Sequence, residues 1–320
     1  MGGDKLMYNV QKGNIKEDKF LTGLAVRYTN NEFVGDVFLP SYTVAKESDK
    51  YRIFRKDGYF KGAPKKADGA ITEEATLIYD EGTYTCYERA IKDIVTDRAM
   101  QNADAPVRPK IDATNFLTEK VLLAEEIDKW ALVCGSSGLG SAGTYYANLT
   151  STTAWIAGTD PDILSDLSDA IVIISKAIGK RPNKISFTTE VSEAIVQDPV
   201  IREILKYHTS AMITGNALPA TLRNMAVTFA DGLWNSSDEG QTASYEYIVK
   251  YHVVLAYVEP GNPLTLGRTF VSKPFRVVRW RDDDREGEFI KVNKVYSPKI
   301  TNLSAGYMYS RVSTGESADD

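Results

Sequence analysis

Side chains able to do chemistry are few in this chain, and they lie far apart. The nitrogen and sulfur ligands amount to two cysteines, Cys86 and Cys134, and two histidines, His208 and His252. A structural zinc ion needs four such ligands, usually in closely spaced pairs. These four are scattered, so their spacing argues against zinc. Two distant cysteines make no disulfide framework in a chain of 320 residues, and both thiols read as small buried apolar groups. His208 follows an amphipathic run and His252 sits in a strand-like run. Both read as surface or satisfied core histidines. No G-x-S-x-G elbow is present for a serine nucleophile.

Two motifs invite a ligand. Gly138-Leu139-Gly140-Ser141-Ala142-Gly143 matches G-x-G-x-x-G. That fingerprint works when a strand precedes it and a helix N-terminus follows to hold the pyrophosphate. Here Asp112–Cys134 before it has a helical period, and Thr144–Thr153 after it has none. The context fails on both sides, and a flexible Gly/Ser connector is expected; a nucleotide-binding enzyme stays as an alternative. Asp282-Asp283-Asp284-Arg285-Glu286-Gly287 looks like the start of a calcium loop, but the twelfth position, where that loop needs Glu, is Asn293. The flanks Phe275–Trp280 and Glu288–Tyr296 alternate like strands, so the cluster reads as a charged hairpin tip.

Composition narrows the function classes. Apolar residues make up 43% and charged residues 25% of the chain, enough for a sizeable core. The net charge is −5, unlike a protein that reads duplex DNA through its surface. No stretch approaches the roughly 20 apolar residues of a membrane span. Met1–Val10 has no apolar signal region, which points to a reducing cytosol. No cofactor is expected.

The elements that position these residues follow from periodicity. Residues 1–37 carry mixed charge with scattered apolar positions. Val37–Pro40 opens a strand-like segment. TVAKESDKYRIF and ITEEATLIYDEGTYTCYE read as strands around a polar, lysine-rich loop. Eight basic residues between 46 and 66, among them Lys56, Lys61, Lys65 and Lys66, face three acidic ones, a local charge of +5. Such a hairpin is marginal alone. It either docks on a neighbour or is a solvated arm.

Arg89–Ala99 has helical spacing through Ile91, Ile94 and Val95. Pro109 starts a long helix whose apolar stripe runs through Phe116, Leu117, Val121, Leu123, Ala124, Ile127, Trp130 and Ala131 to a stop at Gly135. Its ~25 residues span ~37 Å. Asp160 and Pro161 begin a second helix that Gly179 closes. A strand at Lys184–Thr188, helices at Glu190–Gln197 and Pro199–Tyr207, and strands at Met225–Phe229, Ile248–Val258, Phe275–Trp280, Phe289–Tyr296 and Ala305–Val312 complete an α+β order.

That order of parts resembles the major capsid protein of tailed bacteriophages, with the Hong Kong ninety-seven-like coat fold. The stretches that carry it are VFLPSYTVAKESDKYRIF, ADAPVRPKIDATNFLTEKVLLAEEIDKWA, TDPDILSDLSDAIVIISKAIGKRPNKISF with QDPVIREILKY, and FRVVRWRDDDREGEFIKVNKVYSPKI. The resemblance implies an N-terminal arm at 1–37 and an extended β-hairpin loop at 38–88 that lies across a neighbouring subunit. It implies a peripheral domain at 89–134 and 258–320 with the long helix as its spine, and an axial domain at 135–257. Function would then be self-assembly, through hexameric and pentameric capsomers, into an icosahedral shell around double-stranded DNA, with no catalysis. Lys56, Lys61, Lys65 and Lys66 on the loop and Asp282, Asp283, Asp284 and Arg285 at a quasi-three-fold tip would be assembly contacts. Expected partners are further copies, a separate scaffolding protein, a portal, a decoration protein as an open option, and DNA held weakly without sequence specificity. The expected location is the virion head, assembled in the host cytoplasm. A nanocompartment shell of the same fold, holding an enzyme instead of DNA, stays as the alternative.

Overall fold

The computed structural model describes residues 16–17, 33–54, 62–69, 71–72, 74, 79–103, 107–141, 143–156, 158, 160–207, 221–237 and 241–312. In chain order the elements are β1 (Lys16–Glu17), α1 (Gly35–Phe38), β2 (Ser41–Thr43), β3 (Ser48–Phe54), β4 (Tyr79–Thr85), β5 (Tyr87–Thr96), α2 (Asp97–Gln101) and α3 (Pro109–Cys134). There follow β6 (Tyr146–Asn148), α4 (Ile163–Ile178), β7 (Lys184–Phe187), α5 (Thr189–Gln197), α6 (Pro199–Tyr207), β8 (Thr221–Leu222), β9 (Met225–Phe229), β10 (Leu233–Asn235) and β11 (Tyr245–Tyr247). The chain ends with β12 (Val253–Ala256), β13 (Gly267–Asp282), β14 (Gly287–Ile300) and β15 (Gly306–Ser310). This is the expected α+β order, and the chain divides into two compact units.

The smaller unit comprises Tyr87–Ala124 and Lys273–Tyr296, with the short β1. Its sheet runs β1-β13-β14-β5. β5 and β14 pair antiparallel from Tyr87↔Tyr296 to Thr96↔Gly287. Leu117 and Val121 of α3 close its core against Val95, Val277, Ile290 and Val292. The helical spacing at Arg89–Ala99 is overridden here. Ile91, Ile94, Val95 and Thr96 are β-branched, and a ten-residue ladder to β14 satisfies their backbone. Only Asp97–Gln101 turns helical, with the Thr96 hydroxyl accepting from Ala99 N.

The larger unit comprises Asn31–Cys86, Glu125–Ser272 and Ser297–Asp320. Its six-stranded sheet has the order β6-β15-β12-β7-β9-β8. β12 is its centre, antiparallel to both β15 and β7 and buried at all four positions, as a strand covered on both faces must be. Leu167, Ile174 and Ile178 of α4 and Val191 and Ile195 of α5 belong to the same core. Asp162, not Asp160, caps α4: its side chain accepts from Ser165 N at 3.0 Å, which leaves Pro161 outside the helix. Gly179 ends α4 at φ 67°, the left-handed C-terminal conformation glycine adopts at no steric cost.

Other expectations shift. Val37–Pro40 belongs mainly to α1 rather than to a strand, and extended backbone begins at Ser41. Of the run Ile248–Val258 only Val253–Ala256 is strand, because a turn at Lys250, whose φ is 51°, takes up its start. The stripe on α3 is only half right. Leu117, Val121 and Trp130 are buried, but Phe116 is 52% exposed under the Lys120 ammonium and Ala131 faces outward. Glu125, Glu126 and Lys129 are buried in their place.

Candidate functional site

The hairpin β3–β4 pairs from Ser48↔Thr85 to Phe54↔Tyr79 and forms a sheet of two strands only. Its charges pair across its own width: Lys50 Nζ lies 2.6 Å from Glu81, and the Arg52 guanidinium sits 4.6 Å over the Tyr79 ring. Such exposed pairs add little stability. The root of the hairpin is fixed instead by aromatic packing. Tyr84, 5% exposed, stacks on Phe270 with centroids 4.3 Å apart, and Tyr51 and Tyr42 close on the same ring. Cys86 N donates to Glu47 O at 2.7 Å, and the Cys86 thiol reaches Phe270 O at 3.5 Å. Burial raises that thiol's pKa, so it stays protonated and inert. Tyr51, Ile53 and Gly82 are half-buried, and the other described positions of β3 and β4 besides Tyr84 are exposed.

Of the loop lysines, Lys56 and Lys61 lie outside the described residues. Lys65 and Lys66 are exposed, with Lys66 Nζ donating to Thr72 Oγ1 at 3.1 Å. The acidic cluster forms the turn between β13 and β14, as the alternation of its flanks predicts. Asp282 Oδ1 accepts from the N–H groups of Asp284 and Arg285 at 3.1 and 3.3 Å. Arg281 grips Asp97 with two nitrogens, at 2.7 and 3.2 Å, and Asp283 with its Nε at 2.9 Å. The Arg281 bonds hold the Asp97 carboxyl below its ordinary range. The carboxylates are thus used to build the turn, not to surround a cation. Asp283 and Asp284 remain exposed. Asp97, which pins this turn from β5's end, carried no sequence signal because its partner lies 184 positions away.

A second polar cluster was also missed. Glu126 Oε1 accepts from Val34 N at 2.8 Å, Gly35 N at 2.8 Å and Trp130 Nε1 at 2.7 Å. Lys129 Nζ sits 2.9 Å from both Glu125 and Asp36. Burial raises the Glu126 pKa against the pull of Trp130, Lys129 and the two backbone donors. Burial also works against the Lys129 charge, but Glu125 and Asp36 outweigh it and raise that pKa. A Cβ on Gly35 would stand 2.6 Å from Glu126 Oε2, so only glycine lets the backbone approach this carboxylate. Together these groups fasten α1, and the hairpin that follows it, to the second half of α3.

The glycine-rich motif is not a flexible connector. It folds back on the C-terminus of α3, with Leu139 N donating to Val133 O at 2.8 Å and Leu139 only 1% exposed. A Cβ on Gly138 or Gly140 would meet a carbonyl oxygen of α3 at 2.0 Å. Glycine is needed for that backbone approach, at the helix end whose dipole repels phosphate. Cys134 at the same end is pushed up to about 12 by burial. His208 lies outside the described residues. His252 is held down at about 4 by burial and by the nearby Lys250, and its Nδ1 has no hydrogen-bond partner. Among the described residues, no group of three or more His, Cys, Asp or Glu could hold a metal ion, and no helix is long and apolar enough to cross a membrane.

No family model matches the chain. The major capsid protein of Burkholderia phage BcepMu is 24% identical over 309 residues, 92% of this chain and 96% of that protein. The crystal structure of a phage-related protein from Bordetella bronchiseptica RB50 superposes with a TM-score of 0.70 at 19% identity, covering 94% of this chain and 99% of that one. The capsid of a native GTA particle gives a TM-score of 0.56 at 14% identity, covering 88% and 90%. The resemblance read from the sequence is therefore borne out over nearly the whole length, and the chain has the coat-protein fold.

Proposed function

We propose that this chain is the major capsid protein of a tailed bacteriophage, the repeating subunit of an icosahedral head, and that it transforms no substrate. One observation carries the reading. Among its described residues the hairpin β3–β4 is two strands wide, packs on Phe270 through Tyr84 and Tyr51, and is exposed at Ser48–Lys50, Arg52, Tyr79–Glu81, Thr83 and Thr85. Two strands without a covered face are marginal in water. The extension gains its stability by lying on another copy. Likeness in fold to capsid proteins and a phage coat relative matched end to end support the same conclusion.

The rest of the assignment follows from this reading. The unit built on β5, β13, β14 and the first half of α3 serves as the peripheral part, with α3 as its spine. The axial part, 135–257, lies in the unit built on the six-stranded sheet, which also takes in 125–134, 258–272 and 297–320 of the expected peripheral domain. Lys56, Lys61, Lys65 and Lys66 meet a neighbouring copy, and Asp283 and Asp284 project at a three-fold contact on the frame built by Asp282, Arg285 and Arg281. A scaffolding protein and a portal assist in the host cytoplasm. With a net charge of −5, the wall releases few counterions from DNA and holds it loosely.

The test is removal of residues 56–67 from the full chain. Soluble, folded subunits that form no stable shells are expected by analytical ultracentrifugation and electron microscopy. Normal particles would refute the bridging role. Protein cargo instead of DNA in particles from the native source would transfer the reading to a nanocompartment shell.

A further inference from the structure

Resting on the coat reading, we infer that the groove between α4 and the β8–β9 turn receives the acidic edge of α5 from an adjacent copy, in a head-to-tail ring. The groove has a volume of about 450 Å³ and is lined by Ser168, Ile171, Val172, Arg181, Arg223 and Asn224. Val172 is 45% exposed at its apolar side, and Arg181 and Arg223 are exposed at its charged side. The turn that forms its rim is strained. Arg223 and Asn224 have φ of 49° and 67°. Asparagine tolerates the left-handed region, but arginine gains nothing there. Strain of this kind persists where the surrounding structure imposes it, commonly at functional positions. Here the Arg223 guanidinium is steered by a 2.7 Å bond to the Ser168 hydroxyl on α4. The turn thus holds a cation at the mouth of the groove. Among the described residues neither Arg181 nor Arg223 has a carboxylate within ion-pair distance.

The occupant is identified by charge and by symmetry. A ring of identical subunits closes through two different surfaces that complement each other. The same unit carries such a counterpart. Glu190 and Glu193, one turn apart on α5, are exposed and line one cavity with the half-buried Pro161, and Val200 at the start of α6 is 59% exposed. Neither glutamate has an ion-pair partner among the described residues. The two surfaces therefore carry unused charges of opposite sign, and Val172 in the groove and Val200 at the start of α6 are exposed apolar residues. Apolar contact fills the groove around Ile171 and Val172, and the charges set register more than affinity.

A charge swap tests this in the full chain. Arg181→Glu with Arg223→Glu, and separately Glu190→Lys with Glu193→Lys, should each cut the yield of rings and particles at least tenfold. The far-ultraviolet circular dichroism and melting temperature of the unassembled subunit should stay unchanged. Combining all four substitutions should restore particles to within about threefold of the unmodified chain. Unimpaired assembly of either double variant would overturn the docking while leaving the coat reading intact, and so would failure of the fourfold variant to recover. An unmodified chain that never leaves the monomer would overturn the coat reading itself, and this contact with it.

Discussion

The clamp around Glu126 gives a quantitative test of how the hairpin is attached. Glu126→Ala removes the single acceptor of three buried N–H donors: Val34 N, Gly35 N and Trp130 Nε1. Each buried donor left unmet costs about 1–3 kcal/mol, and water entering the vacated space recovers part of it. The expected loss is about 4 kcal/mol, a large share of the ~5–15 kcal/mol that holds a domain folded. Glu126→Gln behaves differently. All three donors converge on Oε1, and only Gly35 N also reaches Oε2, at 3.0 Å. An amide oxygen in the Oε1 position keeps the three bonds and loses only their charge assistance and the attraction to Lys129, about 1–2 kcal/mol. The assay is guanidinium unfolding of the unassembled subunit, read by the fluorescence of Trp130, whose indole is part of the clamp. Losses for Ala and Gln that agree within about 0.5 kcal/mol would refute the claim that this side chain's value lies in the oxygen that accepts the three bonds.

Two further perturbations follow from the cited groups. His252 is pulled down to about 4 in the fold, chiefly by burial, from 6.5 in the unfolded chain. The unfolded state therefore binds its proton first, and stability is lost as pH falls from about 6.5 towards 4; between pH 7 and 5 this one group takes away about 2 kcal/mol. His252→Leu should flatten that part of the stability–pH curve, measured by denaturant midpoints, and a slope unchanged by the substitution would sink the assignment. Asp284→Lys leaves the Arg281–Asp283 bond and the two backbone bonds to Asp282 in place, so the subunit should melt as before while shell yield falls severalfold in light-scattering assembly assays; full yield would count against a contact at this tip.

Local signals explain what was legible. The long helix was readable because Pro109 can open it and its apolar residues repeat every three to four positions. The α4 stop was readable because a glycine in the left-handed conformation is a local event at Gly179. The charged turn was readable because strand alternation brackets it on both sides. Two of the misreadings share one cause, which is pairing with distant chain. The β5 segment has the spacing of a helix, and only β14, some 200 positions later, makes it a strand. Glu125, Glu126 and Lys129 look like the solvated face of a helix until residues 34–36, more than ninety positions earlier, fold over them. In the Gly138–Gly143 motif, expected to be a flexible connector, Gly138 and Gly140 serve tight packing instead.

The distribution of polar order in the chain fits a building block better than a catalyst. An enzyme concentrates perturbed, unsatisfied groups in one cleft. Here the perturbed groups are dispersed. Glu126 and Lys129 are spent on holding an extension to a helix, Asp97 and Arg281 on stiffening a turn, and Cys134 and His252 are simply buried. Among the described residues the features open to a partner are surfaces: a hairpin with most of its positions exposed, a turn presenting two carboxylates, and a groove with two arginines outside ion-pair distance of any carboxylate. Each is too weak to matter singly, since exposed ion pairs contribute at most about 1 kcal/mol. Repeated around every capsomer, such contacts sum to a closed shell while each stays reversible enough for misplaced subunits to leave. A chain with its own cores and with exposed surfaces that carry unused charge is stable enough to fold alone and incomplete until it meets its copies.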